Sequence, residues 1–295
     1  MSAPSTHQVT YTTLLSVEQL QALQASSAPL KVFDCSFELM QPEAADRLYA
    51  QGHIAGAVQA HLDRNLSAQT PEDAVNGGRH PLPSREAFAA WLRDAGFSND
   101  MQAVVYDRNG ANYCGRLWWM LKWAGHDAVA VLDGGLQAWE AAGGAVEAGV
   151  PADTPEQGDF TLSPEKAALV LTDTVAKNLG RPAQTVVDAR ATPRFRGEVE
   201  PLDPVAGHIP GALNRPFSAN LGPDGRFKAP DALKAEFEAL LAGRDPATVV
   251  HHCGSGVSAV PNVLAMEVAG LGRTALYAGS WSEWCNTPGL PCAQG

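Results

Sequence analysis

The chain has 295 residues, 45% of them apolar and 18% charged, an ordinary globular composition that excludes a disordered or fibrous protein. Its 21 basic and 32 acidic residues give a net charge of −11, so nucleic-acid binding, which needs clustered Lys and Arg, is not expected. No run approaches the roughly 20 apolar residues of a membrane span, and Met1–Leu15 lacks the basic-then-apolar order of a secretory leader, so the expected location is cytoplasmic.

In chain order, four segments of the first half return in the second. An apolar run closed by Asp34 returns as one closed by Asp188; GHIAGAV from Gly52 returns as GHIPGAL from Gly207. The run ending at Asp107 pairs with the run ending at Cys253, and LDGGLQAW, ending at Trp139, pairs with YAGSWSEW, ending at Trp284. The separations are 154, 155, 146 and 145 residues, constant but for one small deletion. This is a duplicated domain.

Each half alternates short β-branched runs with longer amphipathic ones. Asn112–Trp123 reads as a helix whose tryptophans Trp118, Trp119 and Trp123 are core, and Gly143–Asp159, rich in Gly, Pro and acid, reads as a linker. Thr185–Val187 and Ala247–His251 read as buried strands. Ala229–Leu241 and Val257–Ala269 read as helices, the first opened by Pro230-Asp231, stopped by Gly243 and burying Phe237, Leu240 and Leu241. The expectation is α/β: a domain over 1–145, a linker over 146–160 and a second domain over 161–295, each with a mostly parallel sheet and helices on both faces.

Five cysteines without a CxxC pair suit reduced thiols better than a disulfide scaffold or zinc site, and no metal or cofactor is expected. Cys285 and Cys292 are read as tail thiols that can pair on oxidation. His251 and His252 flank Cys253, but neighbours on a strand point to opposite faces and do not make a metal site.

The informative segment is His251-His252-Cys253-Gly254-Ser255-Gly256-Val257-Ser258-Ala259. A strand runs into a thiol, then a Gly-rich turn, then a helix expected to start near Val257. Gly254 and Gly256 permit a turn whose N–H groups point inward as an anion nest, beside the positive end of a helix. Such a cradle suits an anionic sulfur. A cysteine phosphatase would need an arginine at the sixth position after the thiol, where this chain has Ala259. Without that guanidinium a phosphoryl group lacks its bidentate partner.

Together the repeated GHI-x-GA element, the Asp-x-Arg strand end, the Cys-Gly-Ser-Gly-Val-Ser loop and the Gly-Ser-Trp-Ser-Glu-Trp tail resemble the rhodanese superfamily, over nearly the whole chain. The match is to its two-domain sulfurtransferases, and the loop is similar to that of the 3-mercaptopyruvate sulfurtransferase branch. The resemblance implies tandem rhodanese-like domains, the first inactive because Asp107 holds the cysteine position, and Cys253 as the carrier of a persulfide. Residue by residue, it implies that Arg194, and Arg116 near the cleft, bind the donor, with Gly254, Gly256, Val257 and Ser258 forming the loop around it. Ser255 matches a hydroxyl that polarises the substrate carbonyl, with Asp63 and His80 facing it. One departure stands out: the branch's second arginine after Arg-Phe is missing, and 197–204 carries only acids and neutral residues.

The expected partners are a small anionic sulfur donor and an acceptor such as cyanide, a low-molecular-weight thiol or thioredoxin. Thiosulfate as donor, and a non-catalytic persulfide carrier loaded by another protein, stay open as alternatives.

Overall fold

The computed structural model describes residues 9–151 and 155–295. Residues 1–8, part of the stretch read for a leader, and 152–154, inside the expected linker, lie outside the described residues. The first unit runs β1 (Leu14–Leu15), α1 (Val17–Gln24), β2 (Leu30–Asp34), α2 (Ala44–Gln51), β3 (His53–Ile54), β4 (Val58–Gln59), α3 (Leu62–Asn65), α4 (Arg85–Asp94), β5 (Gln102–Tyr106), α5 (Cys114–Trp123), β6 (Val129–Leu132), α6 (Gly135–Ala141) and β7 (Val146–Glu147). The second runs α7 (Thr172–Lys177), β8 (Thr185–Asp188), α8 (Thr192–Arg196), β9 (Leu213–Asn214), α9 (Pro230–Leu241), β10 (Val249–His252), α10 (Val260–Val268), β11 (Ala275–Leu276) and α11 (Ser280–Trp284).

Each unit is built on a parallel sheet, in the order β1-β6-β5-β2-β4 in the first and β11-β10-β8-β9 in the second. The central strands β5, β8 and β10 are buried at every residue, as strands covered by helices on both faces must be. Registers match between the units: Asp34 pairs with Tyr106 and Asp188 with His252. Asp107 and Cys253 therefore emerge at equivalent points of the carboxyl edge.

Several boundaries differ from the sequence-based expectation, α5 among them, which starts at Cys114 instead of Asn112. β10 begins at Val249 instead of Ala247, because the Asp245 carboxylate accepts the Ala247 N–H and caps a short 3₁₀ turn over Pro246–Thr248. α10 begins at Val260 instead of Val257, the residues between being spent in a turn closed by Val260 N–H donating to Val257 O at 3.1 Å. The described parts of the linker are not loose, since β7 pairs antiparallel with β3 and Gly158 N–H donates to Arg93 O. By contrast, α9 starts at Pro230 as expected and buries Leu233, Phe237 and Leu241 one turn apart, with Leu240 only partly covered.

All ten residues of α5 are buried, including the three tryptophans. A helix apolar on every side needs cover on every side. Its own sheet supplies part, and α10 of the second unit supplies the rest, so that Leu117 and Trp119 share one core with Val257, Val260 and Leu264. At the far end Lys122 is clasped by Asp127 at 2.8 Å and by Glu267 of α10 at 3.6 Å.

Asp107 shows what the duplicated loop requires. Its buried carboxylate accepts the backbone N–H groups of Asn109 (2.8 Å), Ala111 (3.1 Å), Tyr113 (2.8 Å) and Cys114 (3.0 Å). Asp107→Ala removes the acceptor of four N–H groups and is expected to cost about 3 kcal/mol or more in urea unfolding, with Asp107→Asn milder. A loss below half a kilocalorie for the Ala variant would show that solvent replaces the carboxylate.

Candidate active site

β10 delivers Cys253, 1% exposed, into a pocket of about 170 Å³ that Gly254, Ser255, Ser258, Arg79 and Arg194 also line. The loop's carbonyls are turned outward. Trp281 N–H donates to Cys253 O (3.0 Å) and Ser282 N–H to Gly254 O (2.9 Å). Cys253 N–H donates to Ser280 Oγ at 3.1 Å, and that hydroxyl donates in turn to Tyr277 O at 3.0 Å. These bonds hold Ser280 at φ +55°, a region that non-glycine residues seldom occupy. Gly256, at φ +74°, has no alternative, because a methyl there would collide with Ala278 O.

The loop's N–H groups contrast with those around Asp107. Among the described residues, none of the backbone N–H groups from Gly254 to Ala259 has a hydrogen-bond acceptor, although all but Ser258 of these residues are buried. Buried N–H groups are nearly always paired, so this run is built for an anion. Of the loop residues expected to touch substrate, Gly254 and Ser258 line the pocket and two do not: Val257 packs into the shared core and Gly256 turns against Ala278. Those two shape the loop.

Ser255, His80 and Asp63 come together across the cleft. His80 Nδ1 lies 2.7 Å from Ser255 Oγ, and Nε2 lies 3.4 Å from Asp63 Oδ1. The hydrogen bond from His80 holds the Asp63 carboxyl below the usual carboxylate range. The segment carrying His80 docks on α11: Arg79 N–H donates to Ser282 Oγ at 3.1 Å. A methyl on Gly78, at φ +92°, would sit 2.6 Å from that hydroxyl and 2.8 Å from Gly279 O, so glycine alone allows this approach.

The arginines divide differently from the expectation. Arg194 lines the pocket, held by Glu200 at 2.7 Å and Asp203 at 3.4 Å. Burial raises the Glu200 carboxyl, but Arg194 and the N–H groups of Leu202 and Asp203 outweigh it and hold it low. Arg116, expected to bind substrate, is fully buried and does not line the Cys253 pocket. It donates to Gly256 O (3.0 Å) on one unit and to His80 O (2.9 Å) and Leu66 O (3.2 Å) on the other. Burial pulls its guanidinium down to about 10, still charged at neutral pH. It is a cationic rivet between the Cys253 loop and the loop bearing His80.

Sequence reasoning passed over Arg79 and Ser280. The absence of a base in 197–204 left open whether another arginine stands in or carboxylate recognition is weaker. His251 and His252 do face apart, toward Met266 Sδ (3.2 Å) and Asp188 (3.5 Å). Burial lowers both imidazoles, His251 to about 3, with Asp188 opposing the effect at His252. Cys114 is a core thiol pushed up by burial, and Cys285 and Cys292 are free.

Comparison with known proteins finds the rhodanese-like domain twice, over residues 16–142 and 171–287. The chain is 47% identical over 283 residues, 96% of its length and 98% of the relative's, to a probable 3-mercaptopyruvate sulfurtransferase of Pseudomonas aeruginosa. It is 40% identical over 287 residues, 96% of its length and 97% of the relative's, to a putative thiosulfate sulfurtransferase of Mycobacterium tuberculosis. The 3-mercaptopyruvate sulfurtransferase structure from Leishmania major superposes with a TM-score of 0.81 at 30% identity, covering 94% of this chain and 76% of that one.

Arg116→Met deletes three hydrogen bonds, one of them across the units, while keeping much of the volume. It is expected to lower the melting temperature by several degrees and kcat more than tenfold. Arg116→Lys, keeping charge without the fork, should fall between. Melting curves and steady-state rates on the two variants check this, and wild-type rates for Met would remove the rivet's role.

Proposed function

The chain belongs to the rhodanese family as a tandem two-domain sulfurtransferase, and we propose that it takes sulfane sulfur from 3-mercaptopyruvate, holds it as a Cys253 persulfide and passes it to a thiol or cyanide. The observation that carries this is the run of buried, acceptorless N–H groups from Gly254 to Ala259 around the thiol. It fits an outer persulfide sulfur bearing negative charge.

In the first half-reaction the Cys253 thiolate attacks the donor sulfur. An S–S bond forms, the C–S bond breaks, and its electron pair becomes the enolate of pyruvate. The donor's thiol proton ends on that carbon, so thiolate plus mercaptopyruvate gives persulfide anion plus pyruvate. Charge grows on the carbonyl oxygen as the bond breaks, where a positioned donor helps most. Ser255, in contact with His80 at 2.7 Å, suits that task, and Asp63 keeps the imidazole oriented. In the second half-reaction an acceptor thiolate or cyanide takes the outer sulfur and Cys253 leaves as thiolate. A small thiol or thioredoxin is the acceptor we favour, and five free cysteines suit a reducing, cytoplasmic setting.

Charge balance supports mercaptopyruvate over thiosulfate. Arg79, Arg190 and Arg194 around the pocket already meet Asp188, Glu200 and Asp203. A compact dianion would leave more uncompensated charge in this buried site than a single carboxylate.

Treatment with mercaptopyruvate should add one sulfur to the intact mass, and Cys253→Ser should abolish both the adduct and thiocyanate formation. Retained loading in that variant would sink the assignment. Ser255→Ala and His80→Ala should lower kcat for mercaptopyruvate at least tenfold with little change in KM, and affect thiosulfate less. Equal losses on both donors would contradict the enolate role. A higher kcat/KM for thiosulfate than for mercaptopyruvate in the wild-type protein would reverse the donor choice.

A further inference from the structure

The missing base in 197–204 has a counterpart on the opposite unit. Arg79 reaches across the cleft, its Nη1 paired with Asp203, which is itself 2% exposed at the side chain. Its Nε is buried without a partner. Among the described residues, Nη2 makes no hydrogen bond, nor does Arg194 Nη1. These two groups face each other over Gly254: a methyl built there would stand 2.9 Å from Arg79 Nη2 and 3.6 Å from Arg194 Nη1. Both arginines line the pocket that holds Cys253.

We infer that Arg79 is the second guanidinium of the donor-anion site, so that the non-catalytic unit supplies half of a two-armed grip on the donor's carboxylate. The inference rests on the sulfurtransferase reading above and adds the residue that sets donor affinity. Asp203 acts as the place-holder. Its carboxylate keeps both arginines extended toward the loop, pairing with Arg79 Nη1 and lying 3.4 Å from Arg194 Nη2. It leaves the inward N–H groups free. A guanidinium has five donors in a rigid fork, so one arm can stay on Asp203 while another takes the incoming anion. Gly254 is required between them, since any side chain would fill the space where the carboxylate enters.

Because Arg79 also joins the two units, a merely structural role must be separated from an anion-binding one. Asp203→Asn does so. It weakens the cross-unit ion pair yet leaves Arg79 in place. If Arg79 were only a latch, Asp203→Asn would harm the protein as Arg79→Ala does. If Arg79 grips the donor, Asp203→Asn removes a competing carboxylate.

The experiment measures KM and kcat for mercaptopyruvate with cyanide as acceptor, together with the calorimetric Kd of pyruvate, for wild type, Arg79→Ala, Arg79→Lys and Asp203→Asn. Arg79→Ala should raise KM and the pyruvate Kd about tenfold or more with kcat within threefold, and Arg79→Lys should recover part of the loss. Asp203→Asn, whose amide oxygen can still accept from Arg79 Nη1 but no longer competes as an anion, should lower both constants. An Arg79→Ala variant whose KM and pyruvate Kd stay within twofold of wild type overturns the inference, as does an Asp203→Asn variant that loses affinity equally. Wild-type protein that makes no thiocyanate from mercaptopyruvate would defeat the donor reading instead, and the pyruvate titrations would still decide Arg79.

Discussion

A loop that curls around its own first side chain leaves a group of inward-pointing N–H groups, and in a buried place those groups demand a negative partner. Both halves of this chain build that loop after a central strand, at matching register. In the first half the partner is covalently present, as the Asp107 carboxylate with its four N–H donors. In the second half the residue is Cys253, and the N–H groups from Gly254 to Ala259 have no acceptor among the described residues. The residue that opens the loop, Asp107 in one half and Cys253 in the other, thus decides whether the loop carries its own counter-charge.

What keeps the second loop open is mostly outside it. The carbonyls of Cys253 and Gly254 are tied to α11, and Gly256 O is tied to Arg116 of the other unit. The same arginine holds His80 O, so the Cys253 loop and the His80 loop are fixed to one rigid fork. The apolar contact of α5 with α10 brings these elements together, and the polar contacts set the final distances. Burying a charged guanidinium against carbonyls alone is costly unless the geometry is good. Here three carbonyls from three segments supply it.

The duplication, the α/β class and the thiol at the turn after β10 were legible because each rests on local pattern: apolar runs, glycine spacing and a cysteine after a strand. The Ser255–His80–Asp63 set could be named from resemblance, but its assembly depends on residues 175 positions apart. The carbonyl partners of Arg116 were not legible, because a sequence does not tell whether a cation faces a pocket or a set of carbonyls. Arg79 was missed because the acids it answers lie on the other unit, and charge complementarity across a cleft leaves no trace in spacing. Helix α10 was drawn three residues early because Val257 is as apolar as the helix that follows, while its backbone is spent in the turn.

The Asp107 carboxylate has a consequence for the history of the molecule. A loop that carries its own counter-charge needs no cargo to be stable, so the first unit was relieved of any need to cycle between loaded and empty states. Its surface facing the partner was then free to drift toward a different task. His80, contributed from that surface and backed by Asp63, now touches Ser255 of the other unit's pocket. Severing the two units should therefore separate two abilities that a single-domain ancestor would have had to combine: keeping sulfur, and choosing where it comes from.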